Sequence, residues 1–272
     1  MIANVLTVAG SDSGGGAGIQ ADLKTFSALG TYGASVITAL TAQNTRAVTS
    51  IHDVPPAFVR AQLDAVFDDI EFAAVKIGML SRPEIIDAVA DRLHRHGARN
   101  VVLDPVMVAK SGDRLLRADA VAALKERLLP LATVITPNLP EAAVLLDLEQ
   151  ARDEAGMIDA AARLRELGPQ AVLLKGGHLD KGAESIDVLA DGAAPLTLAA
   201  PRIATENTHG TGCTLSSAMA ALLARGLSLR NAAREAKAYV SAAIRVAHRL
   251  NVGHGHGPVH HFHALWREEE GR

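Results

Sequence analysis

The chain has 272 residues, a formal net charge of −3 and only 3% aromatic residues. This composition argues against a nucleic-acid-binding protein, which more often carries a basic face or stacking aromatic side chains. No apolar run reaches the ~18 residues that a membrane span needs, and the N-terminus lacks the basic segment of a signal peptide. A single cysteine excludes a disulfide framework and suits a reducing compartment, so we expect a cytoplasmic protein.

Apolar periodicity predicts that strands and helices alternate along the chain. Strands are expected at 5–9, 36–41, 75–80, 101–106, 134–137 and 171–174. Helices are expected at 19–29, 56–70, 83–96, 121–129, around Glu141, at 154–167, after Gly212 and at 232–250. A turn at Asp191-Gly192 predicts a hairpin that joins 186–190 to 196–199. Repeated strand–helix units are typical of a doubly wound, mostly parallel α/β sheet with helices on both faces. No linker interrupts residues 1–272, so we expect a single domain.

A glycine-rich loop, residues 10–18, lies between the first predicted strand and the first predicted helix. The dinucleotide fingerprint does not fit, because its last glycine would fall on Ile19. The phosphate-loop pattern does not fit either, because Gly16 stands where a lysine is required. The loop therefore predicts a close approach of a ligand to the backbone without matching either named motif.

A second glycine turn, His209 to Cys213, precedes a helix whose apolar face includes Leu215, Met219 and Leu222. The first N–H groups of such a helix have no partner within it, and the helix dipole favours an anion there. This stretch fits a phosphate site, and it fits equally well a plain helix start with a small buried cysteine. Residues elsewhere in the chain have to decide between the two.

Polar side chains recur at the ends of the predicted strands. They are Gln43, Lys76, Asp104, Asn138, Glu141 and Lys175, and the thioether side chain of Met79 occupies a similar position. Each has a structural explanation of its own; Asn138 and Glu141, for example, have the spacing of a helix capping box. Because the carboxyl ends of parallel strands meet at one edge of a sheet, their common position predicts a ligand site.

The chemistry of this set is coherent. Asp104 and Glu141 offer the hard oxygen ligands that Mg²⁺ prefers, and Lys175 offers a positive charge for a phosphate. Together with the glycine turn these groups are what phosphoryl transfer requires. Cys213 would act either as a base, with a pKa lowered at the helix N-terminus, or as a small wall of the pocket. The predicted catalytic set is Cys213, Lys175, Gly210, Thr211 and Gly212.

A series of motifs then stands in order along the chain. They are AGSD (9–12), GGAGIQAD (15–22), ITALTAQNT (37–45), KIGML (76–80), DPVM (104–107), TPNLPE (136–141), KGGH (175–178), THGTGC (208–213), GHG (253–255) and PVHH (258–261). This series closely resembles the bacterial hydroxymethylpyrimidine/phosphomethylpyrimidine kinases of the ribokinase-like superfamily, over nearly the whole chain.

The resemblance implies an enzyme of thiamine biosynthesis that uses ATP and Mg²⁺. It would phosphorylate 4-amino-5-hydroxymethyl-2-methylpyrimidine and then convert the monophosphate to the diphosphate, as a homodimer. The implied substrate contacts are Gln43, Asp22, Gly10, Met79 and Val106. The implied nucleotide contacts are Lys175, Asn138, Thr211 and Lys237. Ribokinase-type sugar kinases carry aspartate at the position of Cys213, which leaves the identity of the base open.

Three other functions remain possible at this point: a pyridoxine or pyridoxal kinase, a non-catalytic pyrimidine-binding module, and a thiol hydrolase with Cys213 as nucleophile and His209 as base. The polar, glycine-bearing stretch 108–115 is a candidate flap over the site. The C-terminal histidines look superficially like a zinc site, but we interpret them as the start of a last helix. They are His254, His256, His260, His261 and His263.

Overall fold

The computed structural model describes residues 1–107, 119–177, 179 and 182–266, and within these residues nine strands form one sheet. The strands are β1 Asn4–Asp12, β2 Tyr32–Gln43, β3 Val48–Asp53, β4 Ala74–Ile77, β5 Val101–Leu103, β6 Val134–Ile135, β7 Ala171–Lys175, β8 Glu184–Ala190 and β9 Leu196–Pro201. Their order is β3-β2-β1-β4-β5-β6-β7-β8-β9. The strands from β2 to β7 in this order run parallel, and β3, β8 and β9 pair antiparallel with their neighbours.

Helices cover both faces of the sheet. They are α1 Gly18–Ala28, α2 Pro56–Phe67, α3 Pro83–Arg95, α4 Ala120–Ala123, α5 Leu139–Leu146, α6 Glu154–Glu166, α7 Thr211–Ala224 and α8 Leu229–Arg245. One apolar core lies between the sheet and α2, α3, α5 and α6, and a second lies between the sheet and α1, α7 and α8. No helix among the described residues is long and apolar enough to cross a membrane.

The predicted doubly wound, mostly parallel α/β sheet is confirmed, and so is the β8–β9 hairpin. β3 was not predicted, because four of its six side chains are exposed and no apolar alternation marks it. The helix predicted at 232–250 ends at Arg245 and is followed by a 3-10 turn. The strand predicted at 101–106 ends at Leu103, two residues before Pro105, which has no N–H to donate.

The helix start predicted near the C-terminal histidines is not seen within the described residues, which end at Trp266. In the described residues from 250 to 266 the chain runs through bends and turns and forms one isolated bridge, between Pro258 and His209. His260 and His261 are buried there, with 2% and 4% of their surface exposed. They are therefore packed inside the protein, where His261 contacts Thr214 on α7 and His260 donates its N–H to Ala243 on α8.

Candidate active site

Asp104 joins three elements at the carboxyl edge of the sheet. It follows β5 directly and is 1% exposed. Its Oδ1 accepts hydrogen bonds from Lys175 Nζ (2.8 Å) and Thr136 Oγ1 (3.1 Å), and its Oδ2 accepts one from Ser216 Oγ (3.3 Å). Val106, a predicted substrate contact, donates its N–H to the Asp104 carbonyl at 2.8 Å. The structure thus brings β5, β7 and α7 together around one buried carboxylate.

A second carboxylate, Glu141, lies close by on α5. Its side chain accepts the N–H of Asn138 at 2.7 Å, and Asn138 Oδ1 accepts the N–H of Glu141 at 2.9 Å, so the predicted capping box is present. Burial raises the pKa of Glu141 to about 7; the Lys175 ammonium opposes this rise, and the Asp104 carboxylate adds to it. Burial alone would lower the pKa of Lys175, but both carboxylates hold it above its ordinary value. These charges therefore form one interacting group.

The N-terminus of α7 points at the same group. Gly210, its N-cap, has a φ of 78°, and a Cβ there would overlap the carbonyl oxygen of Gly16. A Cβ at Gly212 would lie 3.3 Å from Lys175 Nζ and 3.5 Å from Asp104 Oδ2. The first N–H groups of α7 lack partners within the helix, and the helix dipole adds partial positive charge. Ammonium, carboxylate and helix N-terminus therefore converge on one place.

The remaining predicted nucleotide contacts lie beside this place. The hydroxyl of Thr211 donates to the Thr208 carbonyl at 2.7 Å and so closes the turn before α7. Lys237 on α8 donates to Asp187 Oδ2 at 2.8 Å, and Asp187 Oδ1 accepts the N–H of Gly176 at 3.0 Å. Lys237 is thereby linked, through the Asp187 carboxylate, to Gly176, the residue that follows Lys175.

Three of the predicted pyrimidine contacts, Gly10, Gln43 and Met79, lie in or directly after the neighbouring strands β1, β2 and β4. A Cβ at Gly10 would lie 2.5 Å from Met79 Cε, so these two residues are in contact. The Ser13 hydroxyl bonds both backbone groups of Gln43, its N–H and its carbonyl, each at 2.8 Å. Thr41 Oγ1 lies 3.1 Å from the Gln43 side-chain oxygen. Sequence reasoning missed Ser13 because only the fold brings the glycine loop to the end of β2. It also missed Thr41, although residues two apart on a strand lie on the same face and this spacing could have found it.

Asp22 requires a correction. We expected it to contact substrate directly, but its side chain is 0% exposed. Lys76 Nζ lies 2.9 Å from both of its oxygens, and the hydroxyls of Thr7 and Ser217 donate to it at 2.6 Å. All four hydrogen bonds are satisfied inside the protein. Asp22 therefore joins Lys76, Thr7 and Ser217 inside the protein, and no part of its carboxylate is exposed for a direct contact with substrate.

A model of the family described as "Phosphomethylpyrimidine kinase" matches residues 12–260. A hydroxymethylpyrimidine/phosphomethylpyrimidine kinase of Rhizobium meliloti is 62% identical over 98% of this chain and 100% of its own length. The chain belongs to the phosphomethylpyrimidine kinase family. Among solved structures, phosphomethylpyrimidine kinase of Clostridium difficile is 44% identical with a TM-score of 0.79, over 89% of this chain and 99% of that one. A Bacillus subtilis pyridoxal kinase in complex with ADP is 38% identical with a TM-score of 0.88, over 96% and 98%.

In this phosphomethylpyrimidine kinase family member, the expected lowering of the Cys213 pKa is wrong. Burial raises the pKa of the thiol to about 11; the Lys76 ammonium opposes this rise, and the carboxylates of Asp22 and Asp104 add to it. The N–H of Gly18 also faces the sulfur, but it does not offset the burial. At neutral pH the thiol is therefore protonated, which argues against its acting as the nucleophile of a thiol hydrolase.

Alkylation of Cys213 is expected to report this raised pKa directly. Because the thiolate is the reacting form, the rate with iodoacetamide should rise about tenfold per pH unit between pH 7 and 9.5. Cys213 is the only cysteine in the chain, so all thiol labelling is at this residue. A cysteine in an unstructured peptide with blocked ends, titrated in parallel, should level off near its ordinary pKa of about 8.5. A plateau for the protein below pH 9 would contradict the raised value.

Two further residues, Asp12 and His209, form a hydrogen-bonded pair with 2.9 Å between Asp12 Oδ2 and His209 Nε2. Sequence reasoning gave Asp12 no role and considered His209 only as a base for Cys213. An aspartate two residues before a glycine run does signal a loop that folds around a carboxylate, and this signal could have found Asp12. The candidate flap at 108–115 and the His178 of the KGGH motif lie outside the described residues.

Proposed function

We propose that this chain is an ATP- and Mg²⁺-dependent kinase that phosphorylates 4-amino-5-hydroxymethyl-2-methylpyrimidine and then converts the monophosphate to the diphosphate. The observation that carries the proposal is the convergence of Lys175, Asp104 and the N-terminus of α7 at Gly212. The 62% identity to the Rhizobium meliloti kinase supports the substrate. The ADP complex of the Bacillus subtilis relative supports ATP as the phosphoryl donor.

Catalysis in such a site consists mainly of positioning and charge stabilisation, because the transferring phosphoryl group passes through a loose transition state. The Lys175 ammonium and the first N–H groups of α7 would bind the oxygens on which negative charge accumulates. Asn138 forms a backbone bridge with Lys175, and Lys237 is linked through Asp187 to Gly176, the next residue. From these positions Asn138 and Lys237 would hold the nucleotide. These groups are fixed by buried contacts before substrate arrives, so they need little reorganisation during the reaction.

The residues present fit a magnesium ion. Asp104 and Glu141 are both buried, 1% and 6% exposed, and the negative charge of Asp104 raises the pKa of Glu141. A divalent cation would relieve this repulsion, and Mg²⁺ commonly takes one or two carboxylates, with water and phosphate oxygens as its other ligands. Among the described residues no group of three or more such side chains forms a closed metal cage. When bound, the ion would supply neutralisation of phosphate charge.

Cys213 takes the second of its two predicted roles in this proposal. Because its thiol is protonated at neutral pH, it would line the pocket next to the acceptor hydroxyl and would not remove the proton as a thiolate. A loose transition state places little demand on a strong base, since the hydroxyl becomes acidic only late in the transfer. In this proposal a cysteine can stand where sugar kinases carry an aspartate, because the reaction does not require an ionised thiol.

The test is ATP turnover with hydroxymethylpyrimidine, with mono- and diphosphate followed by mass spectrometry and pyridoxal in a parallel reaction. We expect both phosphorylated pyrimidines in succession. If only pyridoxal were phosphorylated, the proposed phosphoryl-transfer site would stand and the proposed substrate would be wrong. Ligand binding without ATP consumption would favour a binding module. ATP-independent ester cleavage that Cys213→Ala abolishes would establish the thiol hydrolase instead.

Gln43→Ala is expected to raise the KM for the pyrimidine by about tenfold or more while kcat changes little. A carboxamide can both donate to and accept from the edge of an aminopyrimidine, and an unpaired polar group in the bound state costs about 1–3 kcal/mol. Steady-state kinetics with pyrimidine and ATP varied separately measure this. Gln150→Ala, an exposed glutamine after α5, is the matched control. Unaltered affinity for the pyrimidine would remove Gln43 from the site.

We further propose that residues 1–272 form a single domain and that two copies assemble as a homodimer. The single sheet through the described residues supports the single domain.

The homodimer is supported by the edge of this sheet. β3 is the edge strand, and the β2–β3 ribbon exposes Leu40 (47%) and Ile51 (38%). Sedimentation should give the dimer mass for the wild type and the monomer mass for Leu40→Asp; a monomeric wild type would refute the dimer. The cytoplasmic location stays a prediction.

A further inference from the structure

The Asp12 carboxylate organises the glycine loop from within. It is 2% exposed at the end of β1. Oδ1 accepts the N–H of Gly14 at 2.8 Å, and Oδ2 accepts the N–H groups of Gly16 (3.0 Å) and Ala17 (2.8 Å). The remaining strong contact of Oδ2 is His209 Nε2 at 2.9 Å, from a segment 197 residues further along the chain. One buried carboxylate therefore ties the loop to the turn before α7.

The turn before α7 is held from its other side as well. The N–H of His209 donates to the Gly257 carbonyl at 3.0 Å, and the N–H of Val259 donates to the His209 carbonyl at 3.4 Å. The imidazole ring lies against Gly16, where a Cβ would overlap ring atom Cδ2. His209 is thus bonded through its backbone to the C-terminal segment and through its side chain to the glycine loop.

The two glycine segments touch without side chains between them. Gly210 lies so close to the Gly16 carbonyl that a single Cβ would not fit. Side chains that interdigitate usually fix the distance between two packed segments, and at Gly210 none does so. The His209 ring, which lies against Gly16 and is bonded to Asp12, is the side chain that joins the two segments beside this contact.

The negative charge of Asp12 strengthens its hydrogen bond to His209. Burial would raise the pKa of Asp12, but the His209 hydrogen bond and the N–H groups of Ala17 and Gly14 hold it below its ordinary value. The carboxylate is therefore ionised at neutral pH, and a hydrogen bond to an ionised acceptor is stronger than a neutral one. Lys24 Nζ donates to the Gly15 carbonyl at 2.7 Å and adds a tether within the loop.

We propose that the Asp12–His209 pair is a positioning device for phosphoryl transfer, which holds the N-terminus of α7 against the glycine loop so that its N–H groups stay aimed at the transferring phosphate. This inference rests on the proposed function. His209 is a positioning residue, because it acts through its neighbour Gly210 and the Asp12 carboxylate. Electrostatic stabilisation depends on donors that are fixed in advance, so a looser turn lowers the rate more than the binding.

The experiment compares His209→Phe, which fills the space but donates no hydrogen bond, with His209→Gln, which keeps a donor. We expect the phenylalanine variant to lose about 10- to 100-fold in kcat, with the KM for the pyrimidine within about twofold of the wild type. The glutamine variant should recover most of this loss. His254→Phe, at an exposed histidine nearby, is the matched control and should behave as the wild type.

A double substitution and hydrogen exchange separate positioning from general stability. Asp12→Asn combined with His209→Phe should lower kcat no further than the worse single variant, because both remove the same bond. Amide exchange should accelerate in both 14–18 and 208–213 in His209→Phe and stay unchanged in the β5–β7 sheet core. Unchanged kcat, multiplicative losses in the double variant, or undisturbed exchange in these segments would overturn the inference. Absence of turnover by the wild type would instead refute the proposed function, and the exchange result would still stand on its own.

Discussion

Lys175→Met is expected to lower kcat by about 100-fold or more, with a smaller change in the KM for the pyrimidine. The ammonium that the substitution removes lies 2.8 Å from Asp104 and next to Gly212 at the start of α7. In the proposed reaction it stabilises charge on the transferring phosphoryl group, and the loss of one preorganised electrostatic group typically costs about this much. Single-turnover kinetics with saturating ATP measure the chemical step.

Stability needs a separate control, because Lys175→Met also removes the positive charge that is paired with the buried Asp104 carboxylate. Breaking a buried ion pair by removing one partner typically costs about 3–5 kcal/mol, whereas removing both charges is far less harmful. The double variant Asp104→Asn/Lys175→Met should therefore regain thermal stability without regaining activity. An unchanged kcat in the single variant, measured well below its melting temperature, would show that Lys175 does not act on the phosphates.

Gly210→Ala is expected to lower kcat by at least about 100-fold. The φ of 78° is strained for any residue with a side chain, and the added Cβ would overlap the Gly16 carbonyl. The glycine loop and the N-terminus of α7 have to separate, so the N–H donors of α7 no longer point at the transferring phosphate. ATP turnover and the melting temperature should be measured together.

The other end of the same helix supplies the matched control. Gly226 also has a left-handed φ, 87°, but a Cβ there would meet nothing within 4 Å. Gly226→Ala therefore carries the backbone strain, about 1–2 kcal/mol, without the overlap at the site. We expect a lower melting temperature with kcat intact. Equal losses of kcat in both variants would mean that strain alone, and not the contact between the two glycine segments, limits the rate.

Much of the fold could be predicted because its signals are local. Helix α3 was expected at 83–96 and spans Pro83–Arg95, since a proline at the first turn and apolar spacing both lie within the segment. The spacing of Asn138 and Glu141 alone likewise predicts their capping box. The exposed strand β3 escaped prediction because its pairing with β2, and not its own pattern, makes it a strand.

By itself the sequence determined the alternation of strands and helices, the glycine turn before α7, and the set of polar residues that follow the strands. Period, turn residues and chain order suffice for these, because each depends on neighbours within a few residues. The resemblance to a kinase family followed from the same ordered motifs, and the family comparison confirmed it.

Only the tertiary structure decided which charges are paired and which groups are ionised. Lys76 is bound to Asp22 across 54 residues, Lys175 to Asp104 across 71, and His209 to Asp12 across 197. Desolvation and Coulomb interactions depend on distance in space, so local sequence gave no access to the raised pKa of Cys213 or to the burial of Asp22. The same dependence on distant partners explains why the role of His209 emerged only when the two glycine segments were seen in contact.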